Sequence, residues 1–248
     1  MYNEEYVMLS GELFSSLFPL GVPRSSFIVV CGDEGSGKSL FLVAMVKSLL
    51  LAGEPVLYVS VDDDPATVAH QFSSLGVNVL EFVKKSSFFI VDGFSYRVRE
   101  EKRRRMHVSV IGHVEPQNIR MAIDSLLKIL DENGFSGRGA LVIDSLNEFL
   151  SYNTINEVVE GVKDLRANVS KARAVLVIAS LHTTTPQAKD LLQSISHFVD
   201  GIIYMERRVE GEKPVFRAFV RRLKGAAHNL KWVEFYLGED KELRIARG

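Results

Sequence analysis

An α/β fold with a mainly parallel central sheet and helices on both faces is the class this chain predicts. Three observations carry it. Short apolar runs alternate with helical patterns along most of the length, as in a sheet built from strand–helix units. The runs lack period-2 alternation, which is expected of strands covered on both faces. After Asp200 the pattern changes to closely spaced strand candidates joined by polar turns, predicting a C-terminal antiparallel extension.

The elements follow in order. FIVVC (Phe27–Cys31), VLYVSV (Val56–Val61), FFIV (Phe88–Val91), ALVID (Ala140–Asp144) and AVLVIAS (Ala174–Ser180) read as strands. Ser39–Ala52 is apolar nearly all round and stops at Gly53, so it predicts a buried helix. Pro116–Asn133 carries Ile119, Ile123, Leu126, Leu127 and Leu130 on one face before Gly134. Ile155–Ala172 and Pro186–Ser196 predict two more helices. GIIYMERR, PVFRAFVRRL, KWVEFYL and ELRIA then form the meander, separated by EGEK, KGAAHN and GEDK. Gly93–Glu115 is the least regular stretch and reads as a loop. No Pro/Ser/Gly-rich linker and no repeat interrupts the chain, so residues 1–248 are expected to form one domain.

Composition narrows the class. With 46% hydrophobic and 25% charged residues among 248, the chain is that of a soluble globular protein with a large core. A net charge of −1 offers no global field toward nucleic acid or membrane. Cys31 is the only cysteine, which excludes an internal disulfide and suits a reducing compartment. MYNEEYVMLS lacks the basic and apolar parts of a secretory signal. Leu40–Ala52, the longest apolar run, is too short to span a bilayer and holds Lys47. A cytoplasmic protein without membrane contact is the expectation.

The chemistry concentrates in GDEGSGKS, Gly32–Ser39, which fits the phosphate-loop pattern G-x-x-x-x-G-K-[ST] between a strand and a helix. Gly32, Gly35 and Gly37 let the backbone turn sharply and aim N–H groups, including that of Ser36, at phosphate oxygens. Lys38 adds a point charge, and the Ser39 hydroxyl suits Mg²⁺. Asp33 and Glu34 are unusual in such a loop; their side chains must point away from the phosphates. Asp144, closing ALVID, stands where a carboxylate would hold the metal's water shell. VLYVSV runs into Asp62, Asp63 and Asp64 before Pro65. Asp64 reads as a helix N-cap with proline at the first position. Asp62 or Asp63 is the candidate base that orients an attacking water.

Together GDEGSGKS, VSVDDDP, ALVIDSL, HFVDGIIYM and RRLKGAAH resemble the KaiC-like branch of the RecA-type P-loop ATPases, from about Gly11 to the end. The resemblance implies a RecA-like fold, ATP or ADP with Mg²⁺ as ligands, ATP hydrolysis, and a homo-oligomer, a hexameric ring with nucleotide between subunits. It places the family's paired glutamates on Asp62 and Asp63. It puts Arg222 and Lys224 against a neighbouring subunit's γ-phosphate, with His228 near that subunit's base. An arginine in trans would neutralise developing charge and tie turnover to assembly. Two departures stand out. Aspartate replaces glutamate at both base positions, shortening a reach that general-base catalysis needs within roughly 2.6–3.2 Å, so slow turnover is expected. Before the first strand LFPLGVPRSS offers only Gly21 where the family carries Gly-Gly.

Two other functions stay open. The nucleotide could cement an assembly or signalling module without being hydrolysed. RVREEKRRRM (Arg97–Met106) could hold DNA, as loops of RecA relatives do, losing it when Arg103, Arg104 and Arg105 become alanine. Glu100 and Glu101 dilute the patch and aromatic interleaving is missing, so a solvated or subunit-contacting loop is preferred. His182 follows the strand AVLVIAS, close to where RecA-type proteins place a γ-phosphate sensor; Ser180, His182 and Thr183 are the candidates, or form a plain turn. Cys31 is expected to be a small core residue. His113 and His197 lack partners at metal spacing, so no zinc site is expected.

Overall fold

Residues 5–98, 110–210 and 213–246 are described in this computed structural model. Strand β1 (Tyr6–Val7) and β2 (Val22–Pro23) pair antiparallel around helix α1 (Glu12–Leu17), a short N-terminal unit that the sequence reading missed. The five apolar runs become β3 (Phe27–Gly32), β4 (Val56–Ser60), β5 (Phe88–Asp92), and, after a short β6 (Gly112–His113), β7 (Ala140–Asp144) and β8 (Leu176–His182). The meander forms β9 (Gly201–Glu210), β10 (Lys213–Leu223), β11 (Val233–Leu237) and β12 (Leu243–Ile245).

Among the described residues these strands make one ten-stranded sheet in the order β12-β11-β10-β9-β3-β8-β7-β4-β5-β6. From β9 to β6 the neighbours are parallel; from β9 to β12 they are antiparallel. The α/β class with its antiparallel C-terminal extension is thus the fold observed.

Helix α2 (Lys38–Leu51) starts on the glycine loop and stops where Gly53 turns left-handed at φ 80°, as the sequence predicts. It packs on one face of the sheet with α1 and α3 (Pro65–Ser74); Phe41, Val46 and Phe72 meet Ile28, Val30 and Tyr58 there. The short α4 (Val79–Lys84) follows on the same side. On the other face lie α5 (Ile119–Glu132), α6 (Leu146–Tyr152), α7 (Ile155–Leu165) and α8 (Pro186–Ile195), with Ile123, Leu126, Val158 and Leu191 against Val29, Leu57, Leu141 and Val177. Burial on both faces explains why the strands read as unbroken apolar runs.

Several boundaries move for local reasons. Helix α5 begins at Ile119, three residues late, because Asn118 caps it through the Met121 N–H. The expected Ile155–Ala172 helix is α-helical only to Leu165 and continues as a π-helical turn over Arg166–Lys171. Ala174 takes φ 51°, so β8 starts two residues later than predicted and runs on to His182. The loop Gly93–Glu115 contains a 3-10 turn at Ser95–Arg97 and the edge strand β6. Most of Arg97–Met106, including Arg103, Arg104 and Arg105, lies outside the described residues. Arg97 folds back onto α6, paired with Glu148 and donating to the Val61 carbonyl.

Candidate nucleotide site

The parallel register brings the ends of β3, β8, β7 and β4 to one edge, and the loop after β3 opens there. Gly32 closes β3, where a Cβ would lie 2.2 Å from the Met205 carbonyl oxygen. Gly35 and Gly37 take φ 73° and 89°, which only glycine adopts freely. The ring of Phe216, on β10, lies 2.7 Å from where a Gly37 Cβ would stand. An aromatic strand of the extension thus packs directly on the loop.

Lys38 is 3% exposed. Its Nζ donates to the Gly32 carbonyl at 2.9 Å, the Asp33 carbonyl at 2.7 Å and the Ser36 hydroxyl at 3.2 Å. Burial lowers its pKa, opposed chiefly by the charges of Asp144 and Asp33. Ser39 is exposed on the first turn of α2. Asp33 turns aside: its carboxylate accepts from Thr183 Oγ1 at 2.9 Å, while Glu34 is exposed. Both acidic loop residues lie on the exposed side of the loop, and their charges act on Lys38. Cys31 is a buried core residue whose thiol burial pushes up to about 12.

Asp144 ends β7 beneath this loop. Tyr58 donates to it at 2.7 Å and Ser180 at 2.5 Å. Burial raises the Asp144 carboxyl, against the pull of both hydroxyls. Its backbone carbonyl accepts from Val61 N–H at 3.0 Å, holding the end of β4 against β7.

The three aspartates after β4 diverge. Asp64 caps α3 through Ala66 and Thr67, with Pro65 in the first turn, as predicted. Asp63 reaches along α3 to Gln71 Nε2 at 2.9 Å. Asp62 faces the strand ends instead, 3.6 Å from His182 Nε2. Burial would raise its carboxyl, but His182 and Ser145 beside it outweigh this and hold it below the usual range. Asp62, Asp144, Ser180, His182, Thr183 and the glycine loop thus gather at one edge, and Asp63 does not join them.

Arg222, Lys224 and His228 lie elsewhere. Lys224 N–H bonds the Asp200 carbonyl, and Asp200 N–H bonds the Phe27 carbonyl at the start of β3. A strand's length, about 16 Å at 3.3 Å per residue, separates the Lys224 backbone from the loop at its end. Arg222 Nη2 donates to the Val199 carbonyl at 2.6 Å and to Ser196; Lys224 Nζ donates to Phe198 at 3.0 Å. His228 Nδ1 lies 3.1 Å from its own Ala226 carbonyl. His113 and His197 join no metal cluster among the described residues.

Three contributors escaped the sequence reading. Tyr58 looks like one more apolar strand residue and Phe216 like ordinary strand packing, while Asn147, whose side chain pairs with the His182 backbone, carries no local signal. Only the sheet order reveals them.

A glycine loop at a strand–helix junction, a buried lysine and a strand-end aspartate two strands away on a mostly parallel sheet define a P-loop protein of RecA-like fold. A family model described as ATPase: KaiC matches residues 12–247, and the chain belongs to the KaiC ATPase family. A UPF0273 protein of Aeropyrum pernix is 23% identical over 243 residues, 92% of this chain and 91% of that protein. A UPF0273 protein of Thermotoga maritima is 31% identical over 88 residues, 36% of each chain. The crystal structure of KaiC-like protein PH0186 from Pyrococcus horikoshii OT3 superposes with a TM-score of 0.75. It shares 16% identity and covers 98% of this chain and 99% of that one, a likeness of fold. No helix among the described residues is long and apolar enough to cross a membrane.

Proposed function

We propose that the protein binds Mg·ATP at Gly32–Ser39 and hydrolyses it slowly, with the nucleotide held between subunits of a homo-oligomeric ring. The observation that carries this reading is Lys38: a buried ammonium satisfied by three oxygens of its own loop, beside a strand-end carboxylate. On binding, Lys38 exchanges these acceptors for phosphate oxygens, and the loop's N–H groups turn to the same charge.

Ser39 and Asp144 would hold magnesium; an exposed hydroxyl and a carboxylate are the hard oxygen donors that cation takes. Bound there, it would supply neutralisation of phosphate charge. Asp62 is the residue that orients water, because Asp63 is spent on Gln71. Its short side chain supports slow turnover.

Arg222, Lys224 and His228 act in trans. The bonds of Arg222 and Lys224 to the 196–199 carbonyls, away from the subunit's own loop, support that assignment; in the ring these two leave the carbonyls for the neighbour's γ-phosphate, and His228 stands near that subunit's base. The shortened carboxylates also favour a second reading, in which ATP only cements the assembly. Light scattering with and without Mg·ATP, with phosphate release read on the same sample, separates the two. Assembly with release supports hydrolysis, assembly alone supports the second reading, and neither refutes both. The single-domain organisation over residues 1–248 and cytoplasmic location belong to the same proposal.

A further inference from the structure

Past the last rung between β7 and β8, Ile143 opposite Ala179, the two strands no longer pair. The side chain of Asn147, on the first turn of α6, takes over. Its Nδ2 donates to the His182 carbonyl at 2.9 Å, and its Oδ1 accepts from the His182 N–H at 2.7 Å. One amide side chain therefore mimics a strand partner for one residue, fixing both polar groups of its backbone. Asn147 also touches the second group that holds Asp62. The Ser145 hydroxyl accepts from the Asn147 N–H at 3.2 Å and lies 3.3 Å from its Oδ1.

Asn147 thus fixes the backbone of His182, whose ring stands 3.6 Å from the Asp62 carboxylate, and holds Ser145, the other residue that keeps that carboxyl low. His182 also stands opposite Gly32 in the β3–β8 register, and the next N–H, Thr183, bonds the Gly32 carbonyl. The Gly32 carbonyl is thus tied by the Thr183 N–H, which Asn147 does not touch, so releasing His182 frees the partner of Asp62 and leaves the root of the phosphate loop held.

We infer that Asn147 is the positioning residue of the hydrolytic site: by clamping the His182 backbone and the Ser145 hydroxyl it sets the direction of the Asp62 carboxylate. This rests on the reading that Asp62 orients the attacking water. Asn147 touches neither phosphate nor water. Its loss leaves Lys38, Ser39 and the loop amides in place, so it acts on the rate of the bound complex and not on ATP affinity. General-base geometry tolerates little displacement, and a misplacement of about 1 Å costs on the order of 100-fold.

The test is a double-mutant cycle of Asn147→Ala and His182→Ala, read as kcat for phosphate release, with Mg·ATP affinity by calorimetry and unfolding midpoint on the same samples. The expected result is a fall in kcat of about ten-fold or more for Asn147→Ala. ATP affinity should stay within about two-fold, and the double variant should fall little further than either single one. Should Asn147→Ala fold poorly, Asn147→Asp keeps the acceptor for the His182 N–H, loses the donor, and is expected to show the same non-additivity. An unchanged kcat, a loss that appears equally in affinity, or strictly additive effects overturn the inference and leave the proposed hydrolysis standing. No phosphate release from the natural protein overturns both, and that outcome is read before any variant is made.

Discussion

Tyr58 on β4 donates its hydroxyl to the Asp144 carboxylate at the tip of the neighbouring parallel strand β7, 2.7 Å away. Tyr58 is wholly buried, and burial drives its own pKa far up, so it is a permanent donor. Tyr58→Phe leaves the carboxylate with Ser180 as its side-chain donor. The variant should lose about 1–3 kcal/mol of stability. Urea unfolding of the two proteins measures it, and equal midpoints with equal slopes would show the bond to be idle.

The divergence of Asp62 and Asp63 makes opposite forecasts for two neighbouring residues. Asp62→Asn should lower turnover about 100-fold, in the range of a positioned general base. Asp63→Ala removes the contact with Gln71 and should act mainly on the stability of α3. Asp62→Glu restores the missing methylene and should raise the rate. A fast natural enzyme that neither Asp62→Glu nor Asp63→Glu accelerates would refute the reach argument.

Gly37 has two reasons to be glycine, its φ of 89° and the Phe216 ring against its Cα. Gly37→Ala introduces strain of about 1–3 kcal/mol into the loop and should weaken nucleotide binding about ten-fold or more. Adding Phe216→Ala removes the clash but not the backbone strain, so affinity should recover only in part. Titration of a fluorescent ADP analogue against the three proteins reads this directly.

Asp200 supplies a pH signature. Its side chain is 4% exposed and faces Arg166 at 2.8 Å and Lys171 at 3.2 Å. Burial would raise its carboxyl, but the Arg166 bond, the Phe27 N–H and Lys171 outweigh it and hold it low. The folded pKa is thus below the unfolded one. Its contribution is present above the usual carboxylate range and lost as pH falls through the depressed folded value. Asp200→Asn should destabilise at neutral pH by about 1–3 kcal/mol, the scale of a hydrogen bond to a charged group, since Arg166 and Lys171 stay partly solvated. The gap to the natural protein should narrow on acidification, which unfolding curves from pH 7 down to 3 would show.

What the sequence disclosed and what it hid follow from the range of the interactions. The glycine loop, the Asp64 cap and the Gly53 helix stop are set by neighbours in the chain, so they were legible. The unbroken apolar strands announced burial on both faces, and hence the α/β class. The divergence of Asp62 and Asp63 was not legible, because the partner Asp62 meets, His182, lies on another strand. Tyr58 and Asn147 were hidden for the same reason: each matters only through the sheet order. The Arg222 and Lys224 contacts with the turn after α8 were equally silent, since a basic pair on a strand reads as solvated charge until the fold brings carbonyls within its reach.

The central claim is that a main-chain loop, Lys38 and Asp144 together grip a magnesium triphosphate. Isothermal titration of Mg·ATP and Mg·ADP into the natural protein and into a folded Lys38→Ala variant tests it most directly. The account predicts saturable binding by the natural protein, weakened about 100-fold or more once the lysine is gone, the scale of about two charge-assisted hydrogen bonds. No binding to the natural protein, or equal binding by the two, would contradict it.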